Sequence, residues 1–440
     1  MKQKTNAPVV SRNVLLPFIL ITSLFALWGF ANDITNPMVS AFKKILELNN
    51  TQASWVQAAF YGGYFTMALP AAYVVKKYTY KLGIKVGLLL YAIGALLFYP
   101  AAAMENYAFF LTALYVLTFG LAFLETTANP YIMAMGAEET ATRRLNLAQA
   151  FNPLGALTGL LVAQTFILGA LQSDDTDPSG NTIYDTLTGT AKAAVRSSDL
   201  MVIRNPYVGL GLFVLFMLLL ISLVKMPEKM DEDKAGGMLA AIGRIFKKEQ
   251  FVGGVVAQLF YVGAQIMCWT YIYQYAENLG IDNREAVNYA YMALGIFLAG
   301  RFLFTYFLKF VNAGKLLMIL ALGAALCTLG AIFNVGMAGL YSLVGISFCM
   351  SLMFPTIYGI ALGGLGDDAK PASAFLVMAI VGGAFMPILQ GLILDIGGTG
   401  YSDVRILGVP EVNFSFVLPL VCYLVVAIYG YRAFKLYHTA

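Results

Sequence analysis

Charge is what this chain has least of. Of its 440 residues only 12% are Asp, Glu, Lys or Arg, while 59% are hydrophobic. A soluble domain carries roughly 25% charged residues. The chain cannot cover itself with polar surface, so its solvent is lipid. Histidine is scarcer still, with His438 near the C-terminus as the single copy. That excludes a His-based zinc site and a Ser-His-Asp triad. The four cysteines, Cys268, Cys327, Cys349 and Cys422, all fall inside apolar stretches and none has CxxC spacing. They read as small core residues, and no metal or cofactor is expected. The net charge of +4 is no footprint of nucleic-acid binding. Also missing is a short apolar segment with an Ala-x-Ala end, so no cleavable signal peptide is expected.

What is present is apolar length. A spanning helix needs about 20 mostly apolar residues. Hydropathy predicts twelve spans, at 15–42, 54–76, 83–103, 107–133, 145–170, 205–225, 250–276, 286–309, 315–334, 338–364, 372–396 and 412–432. Backbone groups in lipid must bond one another, which makes helices the reading. The alternating strands of a membrane barrel are absent from the pattern. Lys and Arg set the orientation. With the N-terminus inside, twenty of them fall on the inner side and seven on the outer. Both termini are therefore expected to be cytoplasmic. Residues 171–204 read as a polar outer loop. Residues 226–249 read as a charged cytoplasmic linker between an N-terminal half, 1–225, and a C-terminal half, 250–440. Within that linker Met238–Phe246 reads either as a short amphipathic surface helix or as solvated chain.

The halves echo one another. Gly63 and Lys77 recur as Gly295 and Lys309, both at an offset of 232 residues. Asn129-Pro130 recurs as Phe354-Pro355, at an offset of 225. Two six-helix halves repeated in one orientation are a plan used by membrane carriers.

Ionisable groups in a bilayer cost several kcal/mol, so each needs a reason. Glu125 in span four precedes Asn129 by one turn, with Pro130 loosening the helix. Desolvation disfavours the charge of a carboxylate, so Glu125 is suited to taking up and releasing a proton. Asp33 shares a stripe with Asn36 in Asn32-Asp33-Ile34-Thr35-Asn36-Pro37, which suggests a broken helix lining water. It reads either as functional or as a solvated group at the end of its span. Asn146, Gln149 and Asn152 form a polar stripe on span five. Amides both donate and accept, which suits sugar hydroxyls, and they also serve as interhelical glue. Gln265 and Trp269 on span seven make a flat aromatic beside an amide, a platform for stacking a sugar, with Tyr271 and Tyr273 read as belt residues. Arg301 in span eight reads as structural, paired with a carboxylate or snorkelling. The Lys76–Gly83 turn reads as a gating or orientation element.

At these residues the chain resembles the fucose–galactose–glucose:proton symporters of the major facilitator superfamily, over nearly its whole length. The resembling segments are Phe25-Ala-Leu-Trp-Gly29, Ala59-Phe-Tyr with Gly63-Tyr-Phe65, Leu124-Glu-Thr-Thr-Ala-Asn-Pro130, Arg144-Leu-Asn-Leu-Ala-Gln149 with Phe151-Asn152, Tyr261-Val-Gly-Ala-Gln265 with Cys268-Trp269, and Pro355-Thr-Ile357. The resemblance implies an all-α major-facilitator fold of twelve helices and proton-driven uptake of a monosaccharide, with L-fucose favoured. The family's span-four Glu matches Glu125. Its span-one Asp falls on Asn36, with Asp33 the nearby carboxylate. Its span-five amides match Gln149 and Asn152, and a span-ten Tyr falls on Phe354.

The expectation is a proton-coupled sugar symporter of the bacterial inner membrane, working by alternating access and functional as a monomer. Glu125 and Asp33 would carry the proton. Asn36, Asn129, Gln149, Asn152, Gln265, Trp269 and Phe354 would hold the sugar. Glucose, galactose, fructose or N-acetylglucosamine, and sodium coupling, are the neighbouring readings. A drug/proton antiporter is disfavoured by the polar span five. A membrane enzyme is disfavoured by the want of a metal cluster or an activated nucleophile, and a sensor by the want of room for a signalling domain.

Overall fold

The structure is a computed structural model that describes residues 8–35, 38–48, 50–175, 177, 182–227, 237–281, 283–394, 396 and 404–435. Among these residues twelve helices are long and apolar enough to cross a membrane. Spans one to six are Arg12–Thr35, Ala58–Lys77, Tyr80–Ala103, Tyr107–Ala134, Glu138–Ala170 and Gly189–Leu223. Spans seven to twelve are Glu249–Asn278, Glu285–Phe307, Ala313–Phe333, Met337–Leu362, Gly366–Leu394 and Glu411–Lys435. Local chemistry sets several of the ends. The Thr79 hydroxyl accepts from Leu82 N at 3.1 Å and caps span three. The Asn312 side chain accepts from Lys315 N at 3.1 Å and caps span nine. Such caps satisfy amides that the first turn leaves without partners.

The structure corrects the sequence reading in two places. In span one the described helical residues are Leu15–Thr35 and Met38–Ile45. Asn36 and Pro37 lie outside the described residues, and with them the expected break. The polar outer loop 171–204 is not a loop throughout, because span six starts at Gly189. Its added turns are polar because their partners are polar. Asp199 is fully buried and accepts from Gln172 N and Ser173 N, both at 2.9 Å. Lys192 meets Glu47 at 2.5 Å and Arg196 meets the same carboxylate at 3.5 Å. Hydropathy registers those charges as loop, whereas the fold neutralises them. Span five, finally, is interrupted. Its first helix ends at Gln149 and the next begins at Asn152, ahead of Pro153. The three amides do not form one straight stripe.

The contacts divide the chain into two compact units. One is Leu16–Ala128 with Phe151–Met230, and the other is Met1–Leu15 with Asn129–Ala150 and Asp231–Ala440. Residues 138–149 join the second unit through specific bonds. The Gly364 amide donates to Glu138 Oε1 at 3.1 Å, and Asn146 Nδ2 donates to Thr356 Oγ1 at 3.2 Å. A Cβ on Gly359 would stand 2.8 Å from Thr142 Oγ1, so only glycine allows that approach. Met238–Ile245 is helical, and Arg244 grips Asp368 with two bonds of 2.7 and 2.9 Å.

Candidate functional site

In the unit that carries Glu125, the side chain sits on span four and is 4% exposed. It lies nine residues before Ala134, about 14 Å along the helix at 1.5 Å per residue. Tyr64 of span two is within electrostatic reach of this carboxyl. The Tyr64 hydroxyl is fixed from span one, where Trp28 Nε1 donates to it at 2.6 Å. Phe25 stacks on Trp28 at 5.6 Å and Phe60 meets Tyr64 edge-on at 5.6 Å. Asp33 is half-buried, with Tyr61 in electrostatic reach. Each of the two carboxylates thus has a span-two tyrosine within electrostatic reach. In the sequence Tyr61, Tyr64 and Trp28 stand out only as parts of motifs. Their spacing of three within Tyr61–Tyr64, with Phe60 alongside, was the signal available.

Spans one and five cross with their backbones in contact. A Cβ on Gly29 would stand 2.0 Å from the Asn152 carbonyl oxygen, and one on Gly155 would stand 1.7 Å from the Ala26 carbonyl oxygen. Small residues at four-residue spacing permit such approaches in membranes, and Gly159 continues the row, its Cβ 2.6 Å from the Phe30 carbonyl oxygen. Asn152 lies at this crossing and its Nδ2 donates to the Phe25 carbonyl at 3.2 Å. A cavity of about 510 Å³ lies beside the crossing, among spans one, five and six. It is lined by Ser23, Phe30, Leu154, Thr158 and Phe213 among others and holds none of the candidate residues.

In the other unit the candidates form a continuous line. Gln149 Nε2 donates to Asn129 Oδ1 at 2.8 Å. The carbonyl of the same Gln149 accepts from Arg301 Nη1 at 3.3 Å. The Arg301 guanidinium lies 4.9 Å over the Phe297 ring. Trp269 meets that ring edge-on at 5.2 Å and its Nε1 donates to Ser347 Oγ at 3.2 Å. Amide, guanidinium and aromatic groups from spans four, five, seven, eight and ten therefore touch in sequence. Gln265 is half-buried, one turn before Trp269 on span seven. Phe354 is half-buried and packs at 6.3 Å from Tyr261 and 6.2 Å from Tyr358.

Arg301 departs from its expectation. It neither snorkels nor pairs with a carboxylate among the described residues, and it is 3% exposed. Its Nε has no hydrogen-bond partner among the described residues. A carbonyl and a ring face replace the counter-ion, which weakly hydrated guanidinium tolerates better than ammonium does. Phe297 and Ser347 are the members of the line that sequence reading did not select. A phenylalanine and a serine in apolar helices carry no signal of their own.

The sequence matches a known family. The Major Facilitator Superfamily model matches residues 19–387. The chain belongs to that superfamily. An L-fucose-proton symporter of Haemophilus influenzae is 54% identical to it, over 98% of this chain and 99% of the relative. A glucose/galactose transporter of Brucella abortus is 32% identical, over 93% of this chain and 92% of the relative. The crystal structure of the E. coli fucose:proton symporter superposes with a TM-score of 0.84 at 33% identity, covering 96% of this chain and 99% of that one. The expected all-α, twelve-helix major-facilitator fold is borne out. Superfamily membership makes the chain a transporter rather than an enzyme.

Proposed function

We propose that this chain is an L-fucose–proton symporter of the bacterial inner membrane, with both termini in the cytoplasm and the monomer as its working unit. The observation that carries the substrate is the 54% identity, end to end, with the L-fucose-proton symporter of Haemophilus influenzae. The local chemistry agrees with it. A neutral polyol needs groups that both donate and accept, and the amides of Asn129, Gln149, Asn152 and Gln265 supply them. Trp269 and Phe354 offer apolar faces to the C–H side of a sugar ring. Asn36 belongs to the same set by its place in the sequence, outside the described residues.

Glu125 carries the proton, with Asp33 as the second carboxyl. A charged carboxylate in a span costs about 3 kcal/mol. Protonation removes that charge before the site changes the side it faces. Coupling requires that the protonated carrier hold sugar more tightly, and linkage then makes sugar raise proton affinity by the same factor. Alternating access of the two repeated halves, 1–225 and 250–440, carries the pair across.

Sugar-driven pH change in de-energised vesicles tests this. L-fucose, D-galactose, D-glucose, D-fructose and N-acetylglucosamine are offered to the parent, to Glu125→Gln and to Asp33→Asn. L-fucose should alkalinise the medium, and Glu125→Gln should abolish the pH change while sugar exchange, which needs no net proton movement, persists. Binding or exchange of sugar with no pH change would mean sodium coupling or none. The Brucella abortus relative makes glucose and galactose the second reading. A pH response to either sugar with silence toward L-fucose would select it.

A further inference from the structure

We propose that Cys327 and Cys349 form an intramembrane dithiol that takes a soft, thiophilic centre able to bond two sulfurs at once, namely a trivalent arsenical or divalent mercury. Sequence spacing gives no hint of the pair, because 22 residues separate the two cysteines. The fold brings them together. Span nine ends at Phe333 and span ten starts at Met337, so the two helices run side by side and antiparallel after a tight turn at Gly336, where φ is +110°. The packing is reciprocal. A Cβ on Gly323 of span nine would stand 3.1 Å from the Cys349 sulfur, and one on Gly345 of span ten would stand 3.8 Å from the Cys327 sulfur. Each sulfur thus fills the notch left by a glycine on the other helix, which sets the two thiols within electrostatic reach of each other.

Both cysteines are free and half-buried, so neither is sealed in the core. The other two cysteines provide an internal contrast. Cys268 and Cys422 are each 2% exposed, inside the core of spans seven and twelve. Among the described residues no cluster of three or more His, Cys, Asp or Glu is present. Two sulfurs without a third donor suit a centre that is satisfied by two thiolates, not a four-coordinate ion.

The chemistry balances without an oxidant. An aryl arsenoxide condenses with two thiols to form two As–S bonds, and its oxygen leaves with both thiol protons as water. Divalent mercury forms two Hg–S bonds and releases two protons. The product is neutral in both cases, so it avoids the cost of holding thiolate charge in lipid. The bond also staples span nine to span ten. This inference does not rest on the transport assignment.

Phenylarsine oxide is the probe. The full-length protein in detergent is treated, washed with excess monothiol and read by intact mass spectrometry and by thermal unfolding. One arsenical per chain should survive the wash, two of the four thiols should lose reactivity toward maleimide, and the unfolding midpoint should rise. A dithiol chelator should release the adduct. Cys327→Ser and Cys349→Ser should each retain none, while the Cys268→Ser/Cys422→Ser double variant should still retain one. Peptide mapping of the adduct on the parent gives the same answer should a serine variant fail to fold. An adduct that survives in Cys327→Ser, one that maps to Cys268 and Cys422, or a parent that retains none would overturn the proposal.

Discussion

The crossing of spans one and five sets the sharpest mutational prediction. A Cβ on Gly155 would stand 1.7 Å from the Ala26 carbonyl oxygen. Ordinary non-bonded contact needs about 3.5 Å, so Gly155→Ala must open the crossing by roughly 1.8 Å. Both sides of the clash are backbone, and no rotamer change relieves it. Overpacking of a close-packed interior costs about 1–3 kcal/mol, and a rigid backbone places this case near the upper limit. Opening the crossing also stretches the Asn152–Phe25 bond, which is 3.2 Å long, for a further loss of about 1 kcal/mol. The expected total is about 3–4 kcal/mol. Thermal unfolding followed by tryptophan fluorescence in detergent reads the stability, and radiolabelled L-fucose uptake reads the site. Gly209→Ala is the control, because nothing lies within 4 Å of its Cβ position on span six. It should match the parent or gain up to about 1 kcal/mol from better helix propensity. If Gly155→Ala unfolds with the parent and transports normally, the crossing is not the tight joint described and the placement of Asn152 does not depend on it.

Three further outcomes follow from single contacts. Asn146 Nδ2 donates to Thr356 Oγ1 at 3.2 Å and that hydroxyl donates back at 3.3 Å, so a cycle of Asn146→Ala with Thr356→Val should show a coupling of about 0.5–2 kcal/mol; strictly additive losses would contradict the pair. Lys192 beside Glu47 holds that carboxyl below the usual range. A lowered folded pKa contributes stability above the unfolded value and loses it as pH falls through the folded one. Glu47→Gln should therefore unfold slightly earlier than the parent at neutral pH and together with it in strong acid, and a gap that persists in acid would count against the pair. Arg301→Met removes a buried charge that has no carboxylate partner among the described residues, and the relief of its desolvation offsets the lost carbonyl and ring contacts. Stability should hold or rise while uptake falls, because the Gln149 carbonyl loses its anchor at 3.3 Å. A destabilised variant with normal uptake would make Arg301 a purely structural residue.

Span number, fold class and the buried carboxylate on span four were legible because they rest on length and on cost. About 20 apolar residues in a row have few other uses, and a Glu among them is expensive wherever the helix packs. The start of span six was not legible. Lys192, Arg196 and Asp199 look like loop to any hydropathy window, and only their partners at Glu47, Gln172 and Ser173 reveal them as helix. Nor was the Cys327–Cys349 pair, since its two notches are glycines on opposite helices and only tertiary packing aligns them. Arg301 shows a third limit. Its presence in a span demanded a partner, but the sequence could not say that the partner would be a backbone carbonyl and a phenyl ring instead of an acid.

The span-five amides show why ligand and glue were inseparable readings. A buried amide left without a partner costs about 1–3 kcal/mol, so a site for a polyol cannot wait with open hydrogen bonds. Here Gln149 bonds Asn129, Asn152 bonds the Phe25 carbonyl, and Asn146 bonds Thr356. These amides satisfy one another or their neighbours, so under the proposed assignment a sugar must exchange one partner for another. Exchange of equal bonds gives little affinity by itself. It gives selectivity instead, because an analogue lacking one hydroxyl leaves an amide that has surrendered its partner and gained none. A weak overall affinity, with steep rejection of deoxy analogues that fades in Gln149→Leu, is the signature expected of amides that serve as glue when the site is empty and as ligands when it is filled.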